Sequence, residues 1–346
     1  MKTEQLIKGI KEGRTASLAR SISLVENGRP GFEELLSEIH SLIGRAHRIG
    51  LTGPPGAGKS ALAQLVTKEY REQGRKVAIV AVDPTSPFSG GALLGDRIRM
   101  ESVALDPGVF IRSMASRGAP GGLATTTLEV CDVLDAFGFE RIIIETVGVG
   151  QSELAIAATA DTAVLIVVPE SGDGIQVLKA GVMEIADLYV VNKADRPGAD
   201  KMAKEVQMML GMRCGNVLQH VAPHHGPQPW TDQDAELPPP VGWNEPVLTT
   251  SALKGQGITK FVKAIESHRD HLVDSGQLAE RRDARLERHV REVVERSLHS
   301  AIWQDGRGTS ILGKGLEKVL SGAASPYQLA QEIVDVFGIG AGDEGK

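Results

Sequence analysis

Cysteine is scarce in this chain: Cys131 and Cys214 are the two among 346 residues. Two thiols build no disulfide framework, and such usage fits a reducing compartment. No apolar run approaches the ~18 residues of a membrane span, so no membrane partner is expected. Basic residues are not in excess either. Lys and Arg number 38 against 44 Asp and Glu, a formal charge of −6, which argues against a dedicated nucleic-acid binder. The first residues, MKTEQLIKGIKEGRTASLARSISLVENG, lack the apolar core of a signal peptide, and Glu4, Glu12 and Glu26 speak against a transit peptide. Internal repeats and low-complexity tracts are missing as well. The expectation is a soluble, cytoplasmic protein.

What is present is periodic. Leu18, Ile22 and Val25 keep helical spacing up to a stop at Asn27-Gly28. Phe32, Leu35, Leu36, Ile39, Leu42 and Ile43 form a second stripe. From about Arg45 short β-rich runs alternate with helices: HRIGLT, KVAIVAV, GVFIRS, RIIIET, TAVLIVV, LYVVN and PVLTTS. Repeated βα units predict an α/β fold of the P-loop NTPase type, with a mostly parallel central sheet flanked by helices. Residues 212–245, rich in Pro, His and Gly, read as an irregular insertion. Past Leu272 the β signals vanish, and Leu286, Val290, Val293, Val294 and Leu298 stripe a highly charged helix. Two shorter helical patterns follow, around Leu316 and through Leu329, Ile333 and Val336. The expected organisation is an N-terminal helical extension (1–44), a nucleotide domain (45–271) and a C-terminal helical region (272–346).

GPPGAGKS, Gly53 to Ser60, follows a strand and opens a helix, which is the context that a phosphate-binding G-x-x-x-x-G-K-S loop requires. Glycines let backbone N–H groups converge on phosphate oxygens at the positive end of a helix. Gly53, Pro54, Pro55, Gly56, Ala57, Gly58, Lys59, Ser60 and Ala61 are therefore nucleotide-binding candidates. Lys59 is expected on the β and γ phosphates, and the Ser60 hydroxyl on Mg²⁺.

The strand RIIIET carries Glu145 to the same sheet edge, and E-T-V-G resembles the D-x-x-G switch of GTPases. In that switch the acid supports the Mg²⁺ shell, and the glycine, here Gly148, bonds to the γ-phosphate. Glu145 equally fits a cap of the following helix. Asp83 ends another strand, a natural place for a second acid near the metal. Asp96, in the Gly/Ser-rich loop beyond it, fits either the metal and attacking water or the cap of a helix starting at Arg97.

Asn192-Lys193-Ala194-Asp195 matches N-K-x-D at the end of a further strand. Guanine presents N1–H and an exocyclic amine side by side, two donors for one carboxylate, Asp195. Adenine offers a lone pair there. Lys193 is expected over the ring plane, with Asn192 tying this loop to the phosphate loop. Ser251-Ala252-Leu253 matches the S-A-x loop whose N–H reaches the guanine oxygen. Four elements in this order point to GTP and GDP with Mg²⁺.

The stretches VDPTSPFSGGALLGDRIRM, SRGAPGGLA, ETVGVGQSE and PESGDGIQ together resemble the MeaB/ArgK family, GTPase chaperones of methylmalonyl-CoA mutase. The resemblance implies slow GTP hydrolysis and a homodimer held by the C-terminal helices. It also implies a partner, an adenosylcobalamin-dependent acyl-CoA mutase whose cofactor loading and protection the nucleotide gates, with an adenosyltransferase as a further partner. It assigns Lys59, Asp96 and Glu145 to catalysis and Ser60, Asp83, Asp96 and Glu145 to the metal. Two rival readings are a nickel-insertion GTPase, through Cys214, His220, His224 and His225, and a kinase transferring the γ-phosphoryl group.

Overall fold

The computed structural model describes residues 3–83, 100–115, 122–146, 158–169, 185–213, 243–304 and 306–338. The chain opens with α1 (Thr3–Lys11), α2 (Thr15–Glu26) and α3 (Phe32–Ile39), the last ending in a 3₁₀ turn (His40–Leu42). Then come β1 (His47–Thr52), α4 (Lys59–Glu72), β2 (Val77–Asp83), α5 (Glu101–Ala104), β3 (Val109–Ala115), α6 (Gly122–Phe137) and β4 (Arg141–Thr146). After these follow β5 (Thr162–Val167), β6 (Leu188–Val191), α7 (Ala199–Arg213), β7 (Val247–Thr249) and α8 (Ile258–Asp274). Last are α9 (Gln277–Trp303), α10 (Arg307–Leu320) and α11 (Pro326–Val336).

The seven strands form one sheet in the order β3-β2-β4-β1-β5-β6-β7. All their pairings are parallel. Parallel strands covered on both faces must be apolar on both, and β1, β4, β5 and β6 are buried along their whole length. Ile143 faces one way, packing with Ile49, Leu51, Val164 and Ile166 under α4 and α8. Ile142 and Ile144 face the other way, against Val130, Val133 and Leu134 of α6 and Leu18 and Ile22 of α2. Leu165, Val167, Tyr189 and Val191 continue that second face beneath Met202, Val206 and Leu210 of α7.

Helix α1 has no counterpart among the helical patterns read from the sequence, because its charges mask a short stripe. Leu6, Ile7 and Ile10 are buried all the same. The N-terminal helices are fastened by Asp135 of α6. Its carboxylate accepts the Gly44 N–H at 2.7 Å, the Arg45 N–H at 3.3 Å and the Ala46 N–H at 3.0 Å. Helix α7 runs on to Arg213, so the insertion expected from 212 begins inside its last turn; residues 214–242 lie outside the described residues.

The chain divides into two compact units, residues 1–285 and 286–346. In the first, the boundary expected at 271–272 falls within α8, and the root of α9 is held to the strand starts by charge. Arg281 spans both oxygens of Asp187, at 2.9 and 3.1 Å. Arg285 donates to Asp161 at 2.6 Å, and Arg282 to the same carboxylate at 2.9 Å. In the second unit, Leu329 and Ile333 of α11 are buried, and Leu329 lies against Gly315 of α10. The start of α11 is a capping box, Ser325 with Gln328, and Pro326 in its first turn.

A buried polar chain lies beside the Asp161 anchor. His47 Nε2 and His268 Nδ1 both sit 2.8 Å from the Thr162 hydroxyl, and His268 Nε2 is 3.4 Å from Asp187. The Trp243 ring lies against His268, tilted by 57° at 4.7 Å between centroids, and donates its indole N–H to the Asp187 carbonyl at 2.7 Å. Burial outweighs the nearby carboxylates and pushes the His47 imidazole down to about 4. The folded state thus keeps His47 neutral where the unfolded chain takes up a proton. Stability is therefore full above pH ~6.5 and declines as pH falls towards 4, by about 3 kcal/mol for the whole shift. Urea midpoints measured from pH 7 to pH 5 should show this decline, and His47→Gln should flatten it. An unchanged slope in that variant would rule out the assignment.

Candidate functional site

Because every strand runs the same way, β1, β2, β4, β5, β6 and β7 end along one edge. Open parallel sheets bind ligands in the crevice outside these carboxyl ends. The loop 53–58 leaves β1 there and enters α4. Gly53 has φ +139°, and a Cβ on it would collide with the Ile166 carbonyl of β5. Gly58, at φ +88°, caps α4, and a Cβ there would strike the Asn192 side-chain amide. Only glycine fits either position, so the loop lies closely against its neighbours at the start of α4.

Lys59 is buried, and its ammonium donates to the Gly53 carbonyl at 2.7 Å and the Pro54 carbonyl at 3.0 Å. The side chain therefore arches back over the loop that it is expected to serve. Ser60 donates its hydroxyl to the Glu145 carboxylate. The register explains the meeting: Glu145 pairs with Leu51 of β1 on one side and Ala81 of β2 on the other. It shares the face of Ile143, on which α4 packs. Asp83, the last residue of β2, ends a strand at the same edge. Hydroxyl and carboxylate oxygens suit a hard cation, so Ser60 and Glu145 fit Mg²⁺ chemically. Asp96, Arg97 and Gly148 lie outside the described residues, as does the Cys214, His220, His224 and His225 cluster.

The second loop pair is fully described. Asn192 donates its side-chain amide to the Ala57 carbonyl at 2.8 Å, joining the end of β6 to the phosphate loop. Its oxygen accepts the Thr250 hydroxyl at 3.1 Å and the Ala252 N–H at 3.2 Å. One buried amide thus fixes three segments. Thr250 was not singled out from the sequence, although it directly precedes the S-A-x motif. Lys193 takes φ +58°, the left-handed region, and Ala194 N–H donates to the Thr250 carbonyl at 2.9 Å. Ser251 donates its hydroxyl to Asp195. That bond, with Lys254 and Arg196 nearby, holds the Asp195 carboxyl below its ordinary range. Asp195 stands exposed as a full negative charge, while Leu253, 86% exposed, projects from the turn that begins at Ser251. A bridge between Ser251 and Gln256 closes that turn.

The arrangement sets a glycine loop at a helix start and an exposed carboxylate on two loops joined by Asn192. The family profile described as "Methylmalonyl Co-A mutase-associated GTPase MeaB" matches residues 18–307. A Pyrococcus horikoshii protein assigned as a GTPase is 45% identical over 291 residues, covering 84% of this chain and 85% of that one. The mouse protein named methylmalonic aciduria type A homolog, mitochondrial, is 31% identical over 352 residues, 96% of this chain and 79% of its own. Among solved structures, a LAO/AO transport system kinase superposes with a TM-score of 0.65 at 26% identity, covering 97% of each chain.

Proposed function

This chain belongs to the MeaB family of methylmalonyl-CoA mutase-associated GTPases, and on that footing we propose that it is a GTP-hydrolysing chaperone. In this reading it gates cofactor loading and protection of an adenosylcobalamin-dependent acyl-CoA mutase. The observation that carries the reading is the Asn192 amide. Bonded to Ala57, Thr250 and Ala252 at once, it sets the base-reading loop at a fixed distance from the phosphate loop. A guanine held by Asp195 and a triphosphate held by residues 53–61 then become one ligand.

Each residue has a defined task. Asp195 accepts the guanine N1–H and amine, and Ser251 orients that carboxylate. Lys59 and the loop amides hold the β and γ phosphates. Ser60, Asp83, Asp96 and Glu145 would hold Mg²⁺, which would supply positive charge against the phosphates. Gly148 would report the γ-phosphate. The three parts of the chain are assigned as an N-terminal extension, a GTPase domain and a C-terminal region that joins two copies. The last assignment is supported by Leu286, Val290, Val294, Leu298, Leu312, Leu316 and Leu320, all at least 38% exposed. Contiguous exposed apolar surface marks sites of association.

GTPases without a supplied arginine turn over at roughly 10⁻⁴ to 10⁻² s⁻¹, and a partner raises this by ~10³ to 10⁵. The chain alone is expected at the slow end, releasing inorganic phosphate. Adding the cognate mutase under saturating GTP should accelerate release. Hydrolysis that ignores the mutase would end the chaperone reading, and phosphate appearing on an acceptor would put the kinase reading in its place.

A further inference from the structure

The arm helix α9 is joined to α8 by only Ser275 and Gly276, and Gly276 holds φ +77°. The first turns of α9 are fixed by Arg281 on Asp187 and by Arg282 and Arg285 on Asp161, a residue with no exposed surface. Its Oδ1 accepts Arg285 Nη2 at 2.6 Å and Arg282 Nε at 3.3 Å. Its Oδ2 accepts Arg282 Nη2 at 2.9 Å and the Arg48 N–H at 3.1 Å. Arg285 also donates to the Thr159 carbonyl at 2.5 Å, and Arg282 to the Gly44 and Ala46 carbonyls at 2.5 and 2.9 Å.

One strand connects this carboxylate to the phosphate site: Asp161 N–H donates to the Arg48 carbonyl at 2.8 Å, and β1 runs from His47 to Thr52, directly into the phosphate loop. Buried ion pairs seldom stabilise more than apolar packing of the same volume. What they supply is direction, because each bond constrains an angle as well as a distance. Arg282 and Arg285 use the available oxygens of one carboxylate together, so a shift of that carboxylate must move or release both.

We propose that the Asp161–Arg282–Arg285 clamp is the joint through which occupancy of the phosphate site changes the seating of α9. The proposal rests on the nucleotide-site reading above and adds to it the output route. The clamp lies at the opposite sheet edge from the phosphates, where β1 and β5 begin, and touches none of the assigned nucleotide residues. Its disruption should therefore separate communication from binding.

The test is hydrogen exchange on the full chain without nucleotide, with GDP, and with a non-hydrolysable GTP analogue. Protection of residues 53–60 reports binding. In the unaltered protein, amides of 277–303 should exchange differently with GDP and with the analogue. In Arg285→Ala, which leaves Arg282 on Asp161, nucleotide affinity should stay within about two-fold while that difference disappears. Arg282→Ala, which leaves Arg285 in place, should give the same result and serves if the first variant does not fold. Persistence of the difference in both variants overturns the joint, as does its absence from the unaltered protein despite protection at 53–60. No protection at 53–60 with either nucleotide overturns the functional reading itself.

Discussion

Asp195→Asn is expected to weaken GTP binding by about 10⁴-fold and to create affinity for xanthosine triphosphate. The reason lies in the donor pattern of the two bases. Guanine directs N1–H and an amine at one place, and the Asp195 carboxylate answers with two acceptors. Xanthine keeps N1–H but has a carbonyl in place of the amine. An amide at position 195 offers one acceptor and one donor, which matches xanthine and opposes guanine. The loop should survive the change, because the Ser251 hydroxyl that now donates to Asp195 still finds an amide oxygen. Ala194 N–H also keeps its bond to the Thr250 carbonyl at 2.9 Å.

The preference should not depend on pH near neutrality. Ser251 and the neighbouring cations hold the Asp195 carboxyl below its ordinary range, so it is ionised well into acid. Competitive titration of GTP and xanthosine triphosphate against both proteins measures the exchange. If GTP affinity in the variant stayed within ten-fold of the original, base recognition would have to lie elsewhere.

The parts of this molecule legible in the sequence are those whose signal is local. RIIIET declares a strand buried on both faces, and β4 spans the same six residues. GPPGAGKS needs its flanks only a few positions away, and β1 and α4 supply them. The stop read at Asn27-Gly28 follows from the end of a stripe, and α2 ends at Glu26. The link from Asn192 to the phosphate loop was likewise expected, and its side chain reaches Ala57. In each case a few consecutive residues constrain the backbone, and the chemistry follows from it.

Contacts distant in sequence left no such trace. Arg282 and Asp161 are 121 positions apart, and Asp135 caps amides 89 to 91 positions before it. In the sequence these residues resemble ordinary solvated charges on helices and turns. Arg281, Arg282 and Arg285 begin a helix so polar that its charges all read as exposed, yet Arg285 is 8% exposed. Burial of a charge depends on a partner, and one-dimensional spacing does not report partners. The His47–Thr162–His268 chain shows the same limit, since its members come from two strands and a helix. Thr250 is a milder case: its neighbours carry the recognised motif, whereas its hydroxyl serves Asn192 from the far side.

Lys59→Ala is expected to reduce GTP hydrolysis by about 10²- to 10³-fold, the cost of removing one preorganised electrostatic donor. Lys59 is 5% exposed, and its ammonium rests on the Gly53 and Pro54 carbonyls. An ammonium held there needs little rearrangement to meet phosphate oxygens, and charge that develops in transfer meets a donor already in place. GDP binding should suffer less, because it lacks the γ-phosphate and retains both the loop amides and the Asp195 contacts. Arginine should not restore the rate. Its planar fork is broader than a point charge on a flexible stem, and the loop it must pass is packed closely at Gly53 and Gly58. Single-turnover phosphate release, paired with fluorescent GDP titration, separates the two effects. Equal losses in both would make Lys59 a general binding residue, and an active Lys59→Arg variant would show that charge alone is sufficient. The selective loss is expected because the loop geometry, fixed by Gly53 against Ile166 and Gly58 against Asn192, persists when the side chain is cut away.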